Sequence, residues 1–192
     1  MEIDQFTIDV EGEWSGSRYT SAAQTFTFPM HQTAQAVVTA VQNALPTQGL
    51  LPTGTEQELA AFTFSGTAFP GKTAAVEHLE LRISKSAGVV VNNWQLGETG
   101  SPVRVPCTVN GPVLSCLSIP AELATIGSSP RTFRIYGDVT VDQGAQDVFL
   151  EVDVDRAGSP EESGSVRWTD GGAHFLWVDV DSPPARGTWW SW

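Results

Sequence analysis

Lysine and arginine are scarce in this chain: ten of them stand against 22 aspartates and glutamates in 192 residues, for a formal charge of −12. A nucleic-acid backbone or an anionic membrane is repelled by such a mean unless a basic patch overrides it, and the ten cations are scattered singly. No nucleic-acid partner is therefore expected. Long apolar runs are missing too: the longest stretches are a few residues, against the roughly 20 that a helix needs to span a bilayer, so no membrane insertion is expected. Histidine is limited to His31, His78 and His174, far apart and in no spacing used for zinc. There is no glycine-rich phosphate loop, no Gly-x-Ser-x-Gly elbow and no cysteine–histidine pairing. With no cast for nucleophilic catalysis, the chain is expected not to be an enzyme and to need no organic cofactor.

Cysteine is limited to Cys107 and Cys116, which flank Asn110-Gly111-Pro112 between two β-rich runs. A loop over residues 110–113 sets Val109 opposite Leu114 and Cys107 opposite Cys116, where side chains come close enough to bridge. A turn of Asn110-Gly111 alone breaks that register, and two free buried thiols are the competing reading. A disulfide implies an oxidising compartment. Met1 is followed at once by Glu2 and Asp4, without the basic start and apolar stretch of a secretory signal. The alternatives are a cytoplasmic protein or a mature extracellular segment carrying a start Met, and the cysteines favour the second.

What is present is alternation. Leu79, Leu81 and Ile83 interleave with His78, Glu80 and Arg82, and Leu150, Val152 and Val154 with Glu151, Asp153 and Asp155. Each run describes a strand with one dry and one wet face. Phe6, Ile8 and Val10 share a face of a first strand over residues 3–10, and Phe26 and Phe28 repeat the pattern beyond a polar linker at 15–20. Residues 33–45 fit helical spacing at Ala34, Val37, Val38, Val41 and Leu45, yet their Val and Thr content favours strand. Pro46, Gly49, Pro52 and Gly54 then punctuate a loop, which makes 46–58 the candidate internal boundary.

Beyond it, strands are predicted over 59–65, 76–84, 89–96, 103–109, 113–119, 132–141, 148–154, 166–169 and 173–180. Residues 120–126 read as a turn rather than a helix. The expected fold class is all-β: an antiparallel β-sandwich, Ig-like or jelly-roll, over 59–192, with strands of 1–58 added to it or acting as a donor-strand region.

The tail places Trp189, Trp190 and Trp192 within four residues, and indoles so grouped should be hidden from water. They are read as a strand that docks into its own sheet, a neighbouring subunit or a carbohydrate, or as an end packed on the domain. Together with Phe6, Ile8 and Val10 they form the expected partner-binding set, the partners being other copies of the chain, other surface proteins or glycans. Trp168 and Trp177 alternate within strands and read as core or half-core. The acids suggest calcium more than catalysis, with Asp142, Asp153 and Asp155 as candidate ligands near strand ends, in no EF-hand spacing.

Glu151-Val152-Asp153-Val154-Asp155 resembles the Glu-x-Asp-x-Glu strand of the laminarinase-like glycoside hydrolases, which implies a nucleophile at Glu151 and an acid/base at Asp155. The last position is Asp here, and residues 151 and 155 stand about 13 Å apart along a strand. A retaining mechanism brings its carboxyl groups to about 5 to 5.5 Å. Alternating acid on a solvated strand face is the simpler account.

Three further stretches carry a broader resemblance: Phe62-Thr-Phe-Ser-Gly before Val76-Glu-His-Leu-Glu-Leu-Arg-Ile; Ile119-Pro-Ala leading to Arg131-Thr-Phe-Arg-Ile-Tyr-Gly-Asp-Val; and Val166-Arg-Trp-Thr-Asp-Gly. From about 59 to 180 their order resembles the β-sandwich modules of large surface proteins of candidate-phyla (Patescibacteria) bacteria. Gly137 stands where those modules usually carry Ala. The resemblance implies a structural or adhesive role on the cell exterior, in a surface layer or filament.

Overall fold

A computed structural model describes residues 9–11, 18–20, 34–127, 129–159, 162–178 and 185–192. The chain divides into two compact units, Met1–Thr33 and Ala34–Trp192. In the first, β1 (Asp9–Glu11) and β2 (Arg18–Thr20) pair antiparallel, with Val10 opposite Tyr19. The segment expected as a polar linker thus contributes a strand, in keeping with the β preference of Tyr and Thr. Phe6 and Ile8 of the expected first strand, and the strand expected at Phe26 and Phe28, lie outside the described residues.

The second unit is an all-β sandwich. Its elements are β3 (Ala36–Asn43), β4 (Gln48–Leu50), β5 (Gly54–Ala68), β6 (Ala74–Lys85), β7 (Val89–Gly97), β8 (Arg104–Pro106), β9 (Thr108–Asn110) and β10 (Val113–Cys116). One helical turn, α1 (Ala121–Ala124), leads to β11 (Thr125–Ile126), β12 (Arg131–Val141), β13 (Phe149–Asp153), β14 (Val166–Thr169), β15 (His174–Phe175) and β16 (Trp189–Ser191). One sheet runs β3-β5-β12-β7-β8, and all its pairs are antiparallel. The other is built around β6: β14 and β13 lie end to end along one edge, β11 and β10 along the opposite edge. β16 extends this sheet beyond β13, and β4 pairs with β16 in parallel at its end.

The alternation seen in the sequence becomes the inner and outer faces of these sheets. Val76, Leu79, Leu81 and Ile83 of β6 point into the core while Glu80 and Arg82 face outward, and Leu150 and Val152 of β13 do the same opposite Glu151 and Asp153. From the facing sheet come Phe62, Phe64, Phe133 and Ile135, all buried, with Phe64 and Phe133 in edge-to-face contact at 5.0 Å between centroids. Of the stretch 33–45, which could be read as helix or strand, Ala36–Asn43 form the strand β3. The expected boundary at 46–58 falls inside the second unit, where β4 and the start of β5 join the two sheets.

Two further expectations need correction. Residues 121–124 form one turn of helix, its last turn closed by Thr125 Oγ1 donating to the Ala121 carbonyl at 2.7 Å. The single strand expected over 103–109 is two, because the chain changes sheets at Cys107: β8 pairs with β7, and β9 with β10. The Cys107 N–H makes a bond to Trp94 on the first side, at 2.8 Å, and the next residue starts the ladder on the other.

Candidate functional site

The crossover at Cys107 is locked. Leu114 lies opposite Val109, as the spacing predicts, and Cys107 is bonded to Cys116 across the ends of the hairpin. Asn110 and Val113 themselves pair, so the turn consists of Gly111 and Pro112, with Gly111 at φ +59°.

The acids take up roles in the backbone. Asp138 accepts from the Glu56 N–H at 2.9 Å and from the Asn93 amide at 2.5 Å, and these bonds hold its carboxyl below the usual range. Glu56 and Asn93 both sit at φ +51°, so Asp138 pins a left-handed residue on each flanking strand. Gly137 beside it has no room for a larger residue: a Cβ there would stand 2.6 Å from Val91 Cγ1. Asp170 is buried, and its oxygens accept from the N–H groups of Gln35, Gly172 and Ala173 at 2.7, 2.9 and 2.8 Å. Burial alone would raise this carboxyl, but the backbone N–H groups of Gln35, Gly172 and Ala173, together with that of Asp170 itself, outweigh it and hold it low.

The candidate calcium ligands are not brought together. Asp142 lies in the loop before β13, Asp153 ends that strand and accepts from the Gly187 N–H at 2.8 Å, and Asp155 accepts from the Ser165 hydroxyl at 3.0 Å. Among the described residues no three His, Cys, Asp or Glu side chains gather in a group that could hold a metal ion. His174 meets Glu77 at 2.9 Å on the surface, and His31 lies outside the described residues. Glu151 has its own setting on the outer face: burial first, and then the neighbouring charge of Asp153, push its carboxyl up against the opposing pull of Arg186 and Arg82.

Most described arginines are held by intramolecular partners. Arg131 pairs with Glu98, Arg134 with Glu58, and Arg156 and Arg167 both reach Glu80, at 3.3 and 3.4 Å. Arg104 covers the ring of Tyr136 at 4.4 Å.

The tryptophan tail completes its own sheet. β16 lies between β13 and β4, Thr188 donates its hydroxyl to the Pro46 carbonyl, and the Trp189 N–H donates to the Thr47 carbonyl. The Trp190 ring lies where Gly49 leaves space: a Cβ on Gly49 would come within 2.6 Å of it. Trp189 faces outward, its ring stacked on Phe149 at 4.7 Å and 41% exposed; Leu50, 82% exposed, stands opposite Ser191 on the neighbouring strand and so on the same face of the sheet. Trp192 is 72% exposed and lines a pocket of about 680 Å³ with the β12–β13 loop. Val10 of the expected partner-binding set sits in β1. Trp94 is buried, as is Trp168, whose Nε1 donates to the Trp177 carbonyl at 2.8 Å.

Exposed Leu50 is the site residue that sequence reasoning missed, because two adjacent leucines, Leu50 and Leu51, in a loop rich in breakers carry no periodic signal to say which of them faces water. No described helix is long and apolar enough to cross a membrane. The fold and these surfaces define an all-β sandwich with a disulfide-locked crossover. Compared with known proteins, the chain matches no family model, no curated protein and no solved structure.

Proposed function

We propose that the chain is a structural module of the cell exterior that associates with other copies of itself, or with other surface proteins, in a layer or filament. The observation that carries this reading is the outer face of the β4–β16 edge, where Leu50 and Trp189 stand exposed on adjacent strands, Trp189 stacked on Phe149. Large apolar side chains grouped on one face are costly in water and mark contact surfaces. Among the described residues β4 ends its sheet, so its outer edge also offers backbone groups for pairing with another chain. The disulfide suits an oxidising compartment, and the resemblance of residues 59–180 to modules of bacterial surface proteins points the same way.

Light scattering after size-exclusion chromatography tests the proposal. Wild-type protein is expected to associate as concentration rises, and Leu50→Asp to remain monomeric with an unchanged circular dichroism spectrum. A wild type that stays monomeric throughout, or a Leu50→Asp variant that associates equally well, refutes this face as the contact.

A further inference from the structure

The pocket beneath Trp192 is separate from the Leu50–Trp189 face and has a different chemistry. Its floor is the loop from Val141 to Val148, and its lining carries the side chains of Asp142, Gln143, Gln146 and Asp147, all exposed. None of these four side chains makes a hydrogen bond within the described residues, and no Lys, Arg or His lines the pocket. Trp192, whose side chain is largely exposed, completes the lining. Its position is set by the main chain, where the Trp192 N–H donates to the Val148 carbonyl at 3.1 Å and continues the β16–β13 pairing.

The loop is held by its main chain too. Asp142 N–H donates to the Gly88 carbonyl at 2.9 Å, and Ala145 N–H to the Asp142 carbonyl at 3.1 Å. Gly144 turns the chain at φ +83°, and Ala145 packs so closely on Gly88 that a Cβ there would lie 2.6 Å away. The backbone that carries these side chains is therefore in place before a ligand arrives, and only the side chains themselves have to be ordered.

We propose that this pocket binds a neutral saccharide. An indole with an open face suits the C–H face of a pyranose, while carboxylates accept from its hydroxyls and glutamine amides both donate and accept. The volume of about 680 Å³ falls in the range of small-ligand sites. Two carboxylates with no cation beside them disfavour uronates, sialic acids and phosphorylated sugars. An alkylammonium group is disfavoured by the single aromatic residue, since such cations are held by cages of several rings.

The test is an array of neutral and acidic glycans probed with the intact protein displayed multivalently, followed by calorimetric titration of the oligosaccharides retained. Saturable binding to neutral glycans is expected, weakened at least about tenfold by Trp192→Ala, reduced by Gln146→Ala and unchanged by Trp189→Ala. Trp192 is exposed, so its variant should keep the wild-type circular dichroism spectrum. Should that variant fail to fold, the outcome rests on Gln146→Ala. Retention of no neutral glycan, preference for acidic glycans, affinity for tetramethylammonium in place of sugars, or binding indifferent to the Trp192 and Gln146 changes each overturns the proposal. Because Leu50→Asp leaves this pocket intact, failure of the association reading and failure of the saccharide reading are separately visible.

Discussion

Trp190 donates its indole N–H to the backbone carbonyl of Leu59 at 2.6 Å, a bond that runs from β16 in one sheet to β5 in the other. Leu59 is the residue skipped in the β5–β12 register, where Ile135 opposes Ala60 and Tyr136 opposes Glu58. A bulge in one sheet thus offers its carbonyl to the C-terminal strand of the other.

Trp190→Phe removes this bond and leaves the Leu59 carbonyl without that donor, at an expected cost of about 1 to 2 kcal/mol in urea unfolding. Gly49→Ala places a methyl against the same indole, with an expected cost of about 1 to 3 kcal/mol. The two changes touch one contact, so Gly49→Ala should cost less in the Trp190→Phe background than alone. Strict additivity in the double variant would mean that the ring and the glycine are not in contact.

Reduction of the Cys107–Cys116 bond, or its replacement by paired alanines, reopens a loop spanning nine residues of sequence separation. The chain-entropy estimate is a loss of about 2.5 to 3 kcal/mol, which for a unit of this size lowers Tm by roughly 5 to 10 °C. Calorimetry with and without reductant measures it. An unchanged Tm would show that β8 and β9 hold the crossover without the covalent tie.

Asp170 links the start of β3 to the turn after β14, one sheet to the other, through the Gln35 N–H. Its carboxyl is held below its ordinary value in the folded state, so its contribution is present above the unfolded value near 4 and is lost as pH falls through the lower folded value. Asp170→Asn is expected to cost about 1 to 2 kcal/mol at neutral pH, a deficit that shrinks in acid once the wild-type group is itself protonated. Urea unfolding at a series of pH values reads this out, and a deficit independent of pH would assign the effect to packing.

Glu151 carries the opposite sign. Its carboxyl is raised by burial and by Asp153, so the folded state favours the protonated form, and stability attributable to this group falls as pH rises from the unfolded value through the folded one. Glu151→Gln keeps the shape without the charge. It should raise Tm at neutral pH and leave it unchanged below pH about 4. A variant less stable than wild type at neutral pH would show instead that Arg82 and Arg186 draw net stability from the carboxylate.

Much of the sandwich was legible because burial on one face of a strand imposes a period of two. Leu79, Leu81 and Ile83 could be assigned to the core from spacing alone, and so could Leu150 and Val152. The hairpin register was legible for the same kind of reason, since a short turn between two strands permits few pairings and the two cysteines select one. The change of sheets at Cys107 was not, because residues 103–109 alternate alike whether one partner strand or two receive them. The carboxylates were legible as a surface property only. Asp138 and Asp170 turned from rim charges into backbone acceptors because residues distant in the chain, Glu56 and Asn93 for one and Gln35 for the other, present their N–H groups to them.

The amino-acid order by itself determined that this chain folds into layered antiparallel strands, closes one hairpin with its two cysteines and carries an acidic exterior. These follow from local patterning and composition, which act between near neighbours. Only the tertiary structure decided that the tryptophan tail enters its own sheet beside β4, that Leu50 and Trp189 stand exposed while Trp190 packs half-buried against the core, and that Trp192 lines a pocket with the loop of Asp142 and Asp147. Those outcomes depend on which distant strands become adjacent, and a period of two says which face a residue takes without saying what will lie across from it.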